Sequence, residues 1–382
     1  MGAKTRIEEA IHKSVLDAKE PVIAGPDGKP RTTHVAIGDA QAPLGTFLAV
    51  LDLHGLLGDH GRLKDDVALV SIGDHFDYGP TGWRRWATEE GMQLLAWLAA
   101  HPADQVTLIF GNHDYARVGE LANFDQATYL RAREDADRAY NGGDRIAEFQ
   151  QAFLARWPQF PDSEMIARDF SSFHVRQRGL VASLLRAKRF RLAHAHGHLL
   201  FNHAGVTKGD LDAIGAPTSG ADAIAAALNR FLDDAVARWQ SGPLNLMPLH
   251  RAGNREVGEP RGILAHRPAH PDRGMPEQFE GPPRRRFDPR ELPSGVTQVI
   301  GHIRDSKCRE LLGDWAAPPE VGDGPLTQLH LTKDGPRYTK GTSKDAAMLF
   351  IDGGMNYAQL ENYELLDCDA VQPKVKLAIS GT

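Results

Sequence analysis

Four short strings concentrate side chains that can hold divalent cations and move protons. They are Gly73-Asp74-His75-Phe76-Asp77, Gly111-Asn112-His113-Asp114, Asn202-His203-Ala204-Gly205 and Gly301-His302. Carboxylate and amide oxygens suit hard ions such as Mn²⁺ and Mg²⁺, and neutral imidazole suits zinc and iron, so the mixed set fits a divalent metal centre. Glycine before Asp74, Asn112 and His302 lets the backbone turn sharply and approach an ion closely. Beside such a centre an imidazole can act as a general acid or stabilise developing charge. Taken singly each string is weak, because a histidine at a strand end is commonly a hydrogen-bonded structural residue. Their number and order carry the case.

Each string must be delivered by an element. Apolar runs rich in Val, Ile and Leu occur at 35–37, 67–72, 106–110, 199–202, 296–300 and 348–351, each ending in a glycine-polar turn. Such runs read as buried strands. Residues 44–57 and 82–100 have helical periodicity, so the first three strands form strand-helix-strand units and predict parallel α/β layering. The polar strings then fall just past the strands, where α/β proteins place their ligands.

Two places compete to open the metal site: Gly38-Asp39-Ala40-Gln41 and Asp52-Leu53-His54-Gly55. Side chains two apart lie about 200° around a helix and cannot converge on one ion. Leu44, Phe47, Leu48 and Leu51 make one helix face, Pro43 suits a first turn and Gly55 suits a C-terminal cap. Asp52 and His54 therefore read as a helix end. Asp39 directly follows the strand at 35–37 and is the expected ligand.

In the order G-D-x-x-D, G-N-H-D, H-A-G, G-H, the strings resemble the calcineurin-like metallophosphoesterase superfamily. The likeness is greatest to the branch holding protein Ser/Thr phosphatases and symmetrical diadenosine tetraphosphatases. It spans about residues 33–366, because the segment from Leu349-Phe350-Ile351-Asp352-Gly353-Gly354 to Leu366 resembles that branch's closing strand and turn. The resemblance implies an α/β fold, a β-sandwich of two mixed sheets flanked by helices. It also implies a centre of two divalent ions about 3.5 to 4 Å apart, holding a hydroxide for in-line attack on phosphorus. Carried over by position, Asp74 bridges the metals, Asn112, His203 and His302 complete the second, and Asp39 belongs to the first. His113 becomes the catalytic imidazole, oriented by Asp77.

Two departures qualify that expectation. Gln41 stands where the family has histidine, and a neutral amide oxygen favours a harder ion, so Mn²⁺ is expected ahead of Fe, Zn or Mg. Tyr78 stands where the branch usually has a phosphate-clamping arginine, and a phenol offers no charged fork. Tyr78, His75, Arg267 and Arg304 are the substrate-binding candidates, with Arg84 and Arg85 as further cations. His194, His196 and His198 alternate in a strand-like way, but a turn ahead of the next strand is the preferred reading.

With 382 residues, 41% of them hydrophobic, the chain can bury a large core, and a net charge of −6 argues against a nucleic-acid or anionic-membrane binder. Two cysteines make no disulfide framework, and with no apolar run in the first twenty residues a cytoplasmic setting is expected. Residues 1–32 read as an N-terminal helix and lead-in, and 33–382 as one domain. That domain carries a helical insertion at about 119–191, a helix at about 220–240 and a Pro/Arg-rich loop at about 241–293. Within the loop, the basic run at 282–290 reads as a solvated face. Residues from about 327 to 379 read as short strands and turns finishing a second sheet. The expected partner is a phosphorylated small molecule, nucleotide or phosphoprotein. The rival class is a binding or regulatory protein that kept the fold with a weakened first metal site.

Overall fold

Along the strand Thr33–Ile37, Val35 and Ile37 point into one core and Ala36 into another, as the two-residue period of a strand requires. The same alternation recurs in Met348–Phe350, where Leu349 faces inward and its neighbours outward. The computed structural model, which describes residues 2–141, 144–273 and 281–377, resolves this patterning into two six-stranded sheets packed face to face.

The first sheet runs in the order Gln372–Pro373, Leu366–Asp367, Thr33–Ile37, Val67–Ser71, Val106–Ile109, Phe190–Arg191, and its last four strands are parallel. The second runs Gly335–Lys340, Thr327–Thr332, Met348–Phe350, Thr297–Ile300, Leu199–Asn202, Ala193–His196, with its middle three strands parallel. Ala36, Val70, Ile72 and Ile109 of the first sheet meet Leu199, Phe201, Val299 and Leu349 of the second. Burial of each larger side chain there contributes about 1.5–3 kcal/mol.

Helices cover both outer faces. Leu44–Leu53 and Arg84–Ala99 pack on the first sheet, while Ala221–Arg238 and Asp305–Leu312 pack on the second. Leu44–Leu53 ends as expected, with His54 as its cap and Gly55 at φ +71°. Asp52 pairs with Arg6 at 2.6 Å and His54 Nδ1 donates to Val50 O at 2.8 Å, so both are occupied locally.

Three segments outside the two sheets pack onto the domain. The helix Ala3–Lys19 is strapped to the domain, because Ala10 enters the main core and Arg62 Nη2 donates to Asp17 at 2.8 Å. The insertion has its own aromatic core, including Phe124, Tyr129, Phe153, Trp157, Phe160 and Phe170. Its last expected helix, Val175–Arg186, instead joins the main core through Leu180, Val181, Leu184 and Leu185. The stretch 241–293 is anchored by Leu244, Leu246, Leu249, Ile263 and Leu264, and its residues 274–280 lie outside the described residues, as do 378 and 379 of the expected C-terminal strands. Ala193–His196 is a strand, where a turn was expected. Among the described residues, no helix is long and apolar enough to cross a membrane.

Candidate metal centre

The ends of five parallel strands, three from the first sheet and two from the second, bring the strings together. The backbone is bent to do so: Asp74, Asp77 and His302 adopt left-handed φ values of 54°, 63° and 64°. Such conformations cost on the order of 1–3 kcal/mol each outside glycine and persist where the surroundings enforce them. Two neighbouring glycines are sterically required. A Cβ on Gly111 would lie 2.2 Å from Asp74 Oδ1, and one on Gly301 would lie 2.0 Å from Asp39 Oδ1.

At the centre, one terminal atom of the Asn112 carboxamide is 3.0 Å from His203 Nε2, 3.0 Å from His302 Nδ1 and 3.3 Å from Asp74 Oδ2. The far nitrogens of both rings are committed to backbone carbonyls. His203 Nδ1 donates to Ile72 O at 2.9 Å, and His302 Nε2 donates to Ala265 O at 3.0 Å. When neutral, each ring therefore turns an unprotonated nitrogen inward, the tautomer a metal ligand needs. The facing atoms of Asp74, His203 and His302 all lie within 4.8 Å of one another. Lone pairs converging in this way repel one another, and a divalent cation fits this donor set.

Asp39 accepts the His302 N–H with both oxygens, at 3.1 and 3.0 Å. Burial, then the nearby charges of Asp352 and Asp74, push its carboxyl well above the usual range. Burial likewise pushes Asp352 up to about 6. Asp74 is held low despite burial, chiefly by His203 and His113. Three carboxylates in one buried corner favour added positive charge.

His113 stands beside this cluster, with Nε2 3.8 Å from Asp74 Oδ2 and Nδ1 3.0 Å from Asp77 Oδ2. Burial opposes a charged ring, but Asp74 and Asp77 outweigh it and raise His113 to about 9. Asp77 is itself clamped: Arg117 Nη1 donates to it at 2.6 Å, and Ser172 donates through N at 2.9 Å and Oγ at 2.6 Å.

Asp39, Gln41, Asp74, Asn112, His113, Arg267, His302 and Arg304 line one cleft of about 550 Å³. His203 and Asp77 lie buried behind it. Gln41 donates its amide N–H to Phe76 O at 3.2 Å, which leaves its oxygen available. His75 and Tyr78 do not line the cleft. Both ring nitrogens of His75 are taken, by Ser71 Oγ at 3.0 Å and Asp114 at 3.0 Å, and the Tyr78 phenol donates to Glu90. Arg84 is paired with Asp137. Sequence reasoning missed Asp352 as a candidate ligand, although it follows an apolar strand like the other candidates. It also missed Arg117, one helical turn after His113, and the cleft-lining Lys307 and Arg168.

The calcineurin-like phosphoesterase family is matched over residues 33–303, and the chain belongs to that family. Among solved structures, a cold-active protein tyrosine phosphatase at 1.1 Å resolution is similar at 13% identity and TM-score 0.44, covering 92% of this chain and 77% of that one. The cold-active protein-tyrosine phosphatase of a psychrophilic Shewanella species is similar at 13% identity and TM-score 0.37, covering 88% and 75%. No curated protein sequence matches the chain.

Proposed function

We propose that this phosphoesterase is a metal-dependent phosphohydrolase that cleaves phosphate esters or anhydrides by in-line attack of water at a dinuclear centre. The observation that carries the reading is the convergence of Asn112, His203, His302 and Asp74 on one point, with the His113 ring beside them facing the same cleft. Asp74 would be shared between two cations. Asn112, His203 and His302 would complete one, and Asp39, Gln41 and Asp352 would hold the other. Asp352 offers an anionic oxygen where the first string lacks its imidazole, which favours a hard ion such as Mn²⁺. When bound, such ions neutralise phosphoryl charge and lower the pKa of water.

The chain's own groups supply the rest. Asp77 fixes the Nδ1–H of His113, so Nε2 is the atom that gives a proton to the leaving oxygen or stabilises charge on it. Arg267 and Arg304 line the cleft and would bind phosphate oxygens. Cys308 and Cys368 are buried thiols that do not line it, so no cysteine nucleophile is invoked. Two free thiols agree with a reducing, cytoplasmic setting.

The test is turnover of p-nitrophenyl phosphate and bis-p-nitrophenyl phosphate by chelator-treated protein resupplied with Mn²⁺, Zn²⁺, Fe²⁺ or Mg²⁺. Restoration, greatest with Mn²⁺, is expected. Failure with every ion, repeated over nucleotides, dinucleoside polyphosphates and phosphopeptides, would instead favour a binding protein.

A further inference from the structure

A second group of ligating side chains lies at the opposite end of the sandwich. His34 comes from the start of the strand Thr33–Ile37, Asp369 from the turn after Leu366–Asp367, and His196 from the end of Ala193–His196 in the other sheet. His34 Nδ1 is 3.0 Å from Asp369 Oδ2, and His196 Nε2 is 2.9 Å from Asp369 Oδ1. The ring centroids are 4.7 Å apart, and one ligand atom from each of the three residues lies within 4.8 Å of the others. Five residue steps, about 17 Å at 3.3 Å each in extended chain, separate His34 from Asp39. The group is therefore distinct from the phosphoesterase centre.

We infer that His34, His196 and Asp369 form a second cation site, suited to Zn²⁺ and open to solvent on one side, that clips the two sheets together. Two imidazole nitrogens and one carboxylate oxygen are a zinc-type donor set, with a fourth position for water. Tetrahedral zinc with bonds of about 2.0–2.1 Å places its ligand atoms about 3.3 Å apart. The present Asp–His separations of 2.9 and 3.0 Å run to different carboxylate oxygens, so the carboxylate must turn and the three ligand atoms, now within 4.8 Å of one another, must close on a single ion. The side chains can make that adjustment, since each imidazole is 30% exposed and the carboxylate 51%.

The backbone around the group is already fixed. Cys368 N–H donates to His34 O at 2.9 Å, and the Asp367 carboxylate accepts the N–H of Asp369 at 3.2 Å and of Ala370 at 3.0 Å. His196 is held in register with Leu199 of the neighbouring strand, so backbone pairing fixes all three segments near the group. The group also borders a cleft of about 620 Å³ that includes His194, on the same strand face as His196.

The test is a count of bound Zn²⁺ by elemental analysis of the full chain, equilibrated at defined free Zn²⁺, for wild type, His196→Gln and Asp369→Asn. Each variant is expected to hold one Zn²⁺ fewer than wild type, with unchanged phosphatase turnover. Zn²⁺ should also raise the Tm of Asp74→Asn, and raise it less once His196→Gln is added. Equal zinc counts and affinities in wild type and Asp369→Asn, an isosteric change on an exposed turn, would overturn the site and leave a plain His-Asp-His hydrogen-bonded clip. Because the readout is metal content, failure here leaves the phosphohydrolase reading untouched.

Discussion

His113 Nδ1 and Arg117 Nη1 both reach the same oxygen of Asp77, at 3.0 and 2.6 Å. A buried carboxylate thus couples the imidazole at the cleft to a guanidinium in the core. Removing the imidazole by His113→Ala should lower kcat by about 10²–10⁴-fold, the range of a lost general acid. Metal content should stay at the wild-type level. Asp77→Asn should also lower kcat with full metal content, because the ring loses its fixed orientation. Wild-type turnover of a phosphate ester by His113→Ala would remove the imidazole from the mechanism.

Arg117 is fully buried, stacks on Phe76 at 4.5 Å from the ring centroid, and lies against Asp77, whose side chain is only 2% exposed. Burial would raise the Asp77 carboxyl, but Arg117 and then His113 hold it well below the usual range. Arg117→Ala strands that charge and should destabilise the protein by about 3–5 kcal/mol. Urea unfolding measures this directly, and a loss under about 1 kcal/mol would mean that Ser172 and His113 satisfy Asp77 unaided.

Asp352→Ala should weaken the cation proposed to sit with Asp39 and Gln41. The Mn²⁺ concentration for half-maximal turnover should rise by at least about 10- to 100-fold, the scale set by metal-site partners one step further out. An unchanged Mn²⁺ requirement would place Asp352 outside the ligand set.

His101 provides a pH signature away from the site. Its Nε2 accepts from Leu63 N–H at 3.1 Å and its Nδ1 donates to Trp97 O at 2.8 Å. Burial, then the charge of Arg62, lowers its pKa to about 3. The unfolded ring, with a pKa near 6.5, binds more protons below that pH, so stability falls as pH drops from about 6.5 toward 3. Between pH 6.5 and 5 this one group should remove about 2 kcal/mol. His101→Gln should flatten the slope of unfolding free energy against pH in that window, and an unaltered slope would show that His101 does not titrate on unfolding.

Periodicity in the sequence resolved the main ambiguity. Asp52 and His54 match the family string by eye, yet the apolar face of Leu44–Leu53 and the Gly55 cap mark them as a helix end, and Arg6 now occupies Asp52. The layering was equally readable, since each apolar run alternates between two cores. Asp352 was harder, because a single carboxylate after a strand gains meaning only once Met348–Phe350 pairs with Thr297–Ile300 and comes to lie beside Asp39. His75 adjoins Asp74 in sequence, but its ring turns toward Asp114, which only the folded chain shows. The group at His34, His196 and Asp369 spans both sheets, and neither the spacing of the histidines nor any local string foreshadows their meeting.

The most direct measurement compares Mn²⁺-dependent phosphate-ester turnover in wild type and Asp74→Asn, with metal content determined on the same samples. Wild type should lose turnover in chelator and regain it with Mn²⁺ while binding two ions at the cleft, and Asp74→Asn should lose both the metal and the turnover. Full activity in metal-free protein, or wild-type turnover by Asp74→Asn, would contradict a dinuclear phosphohydrolase.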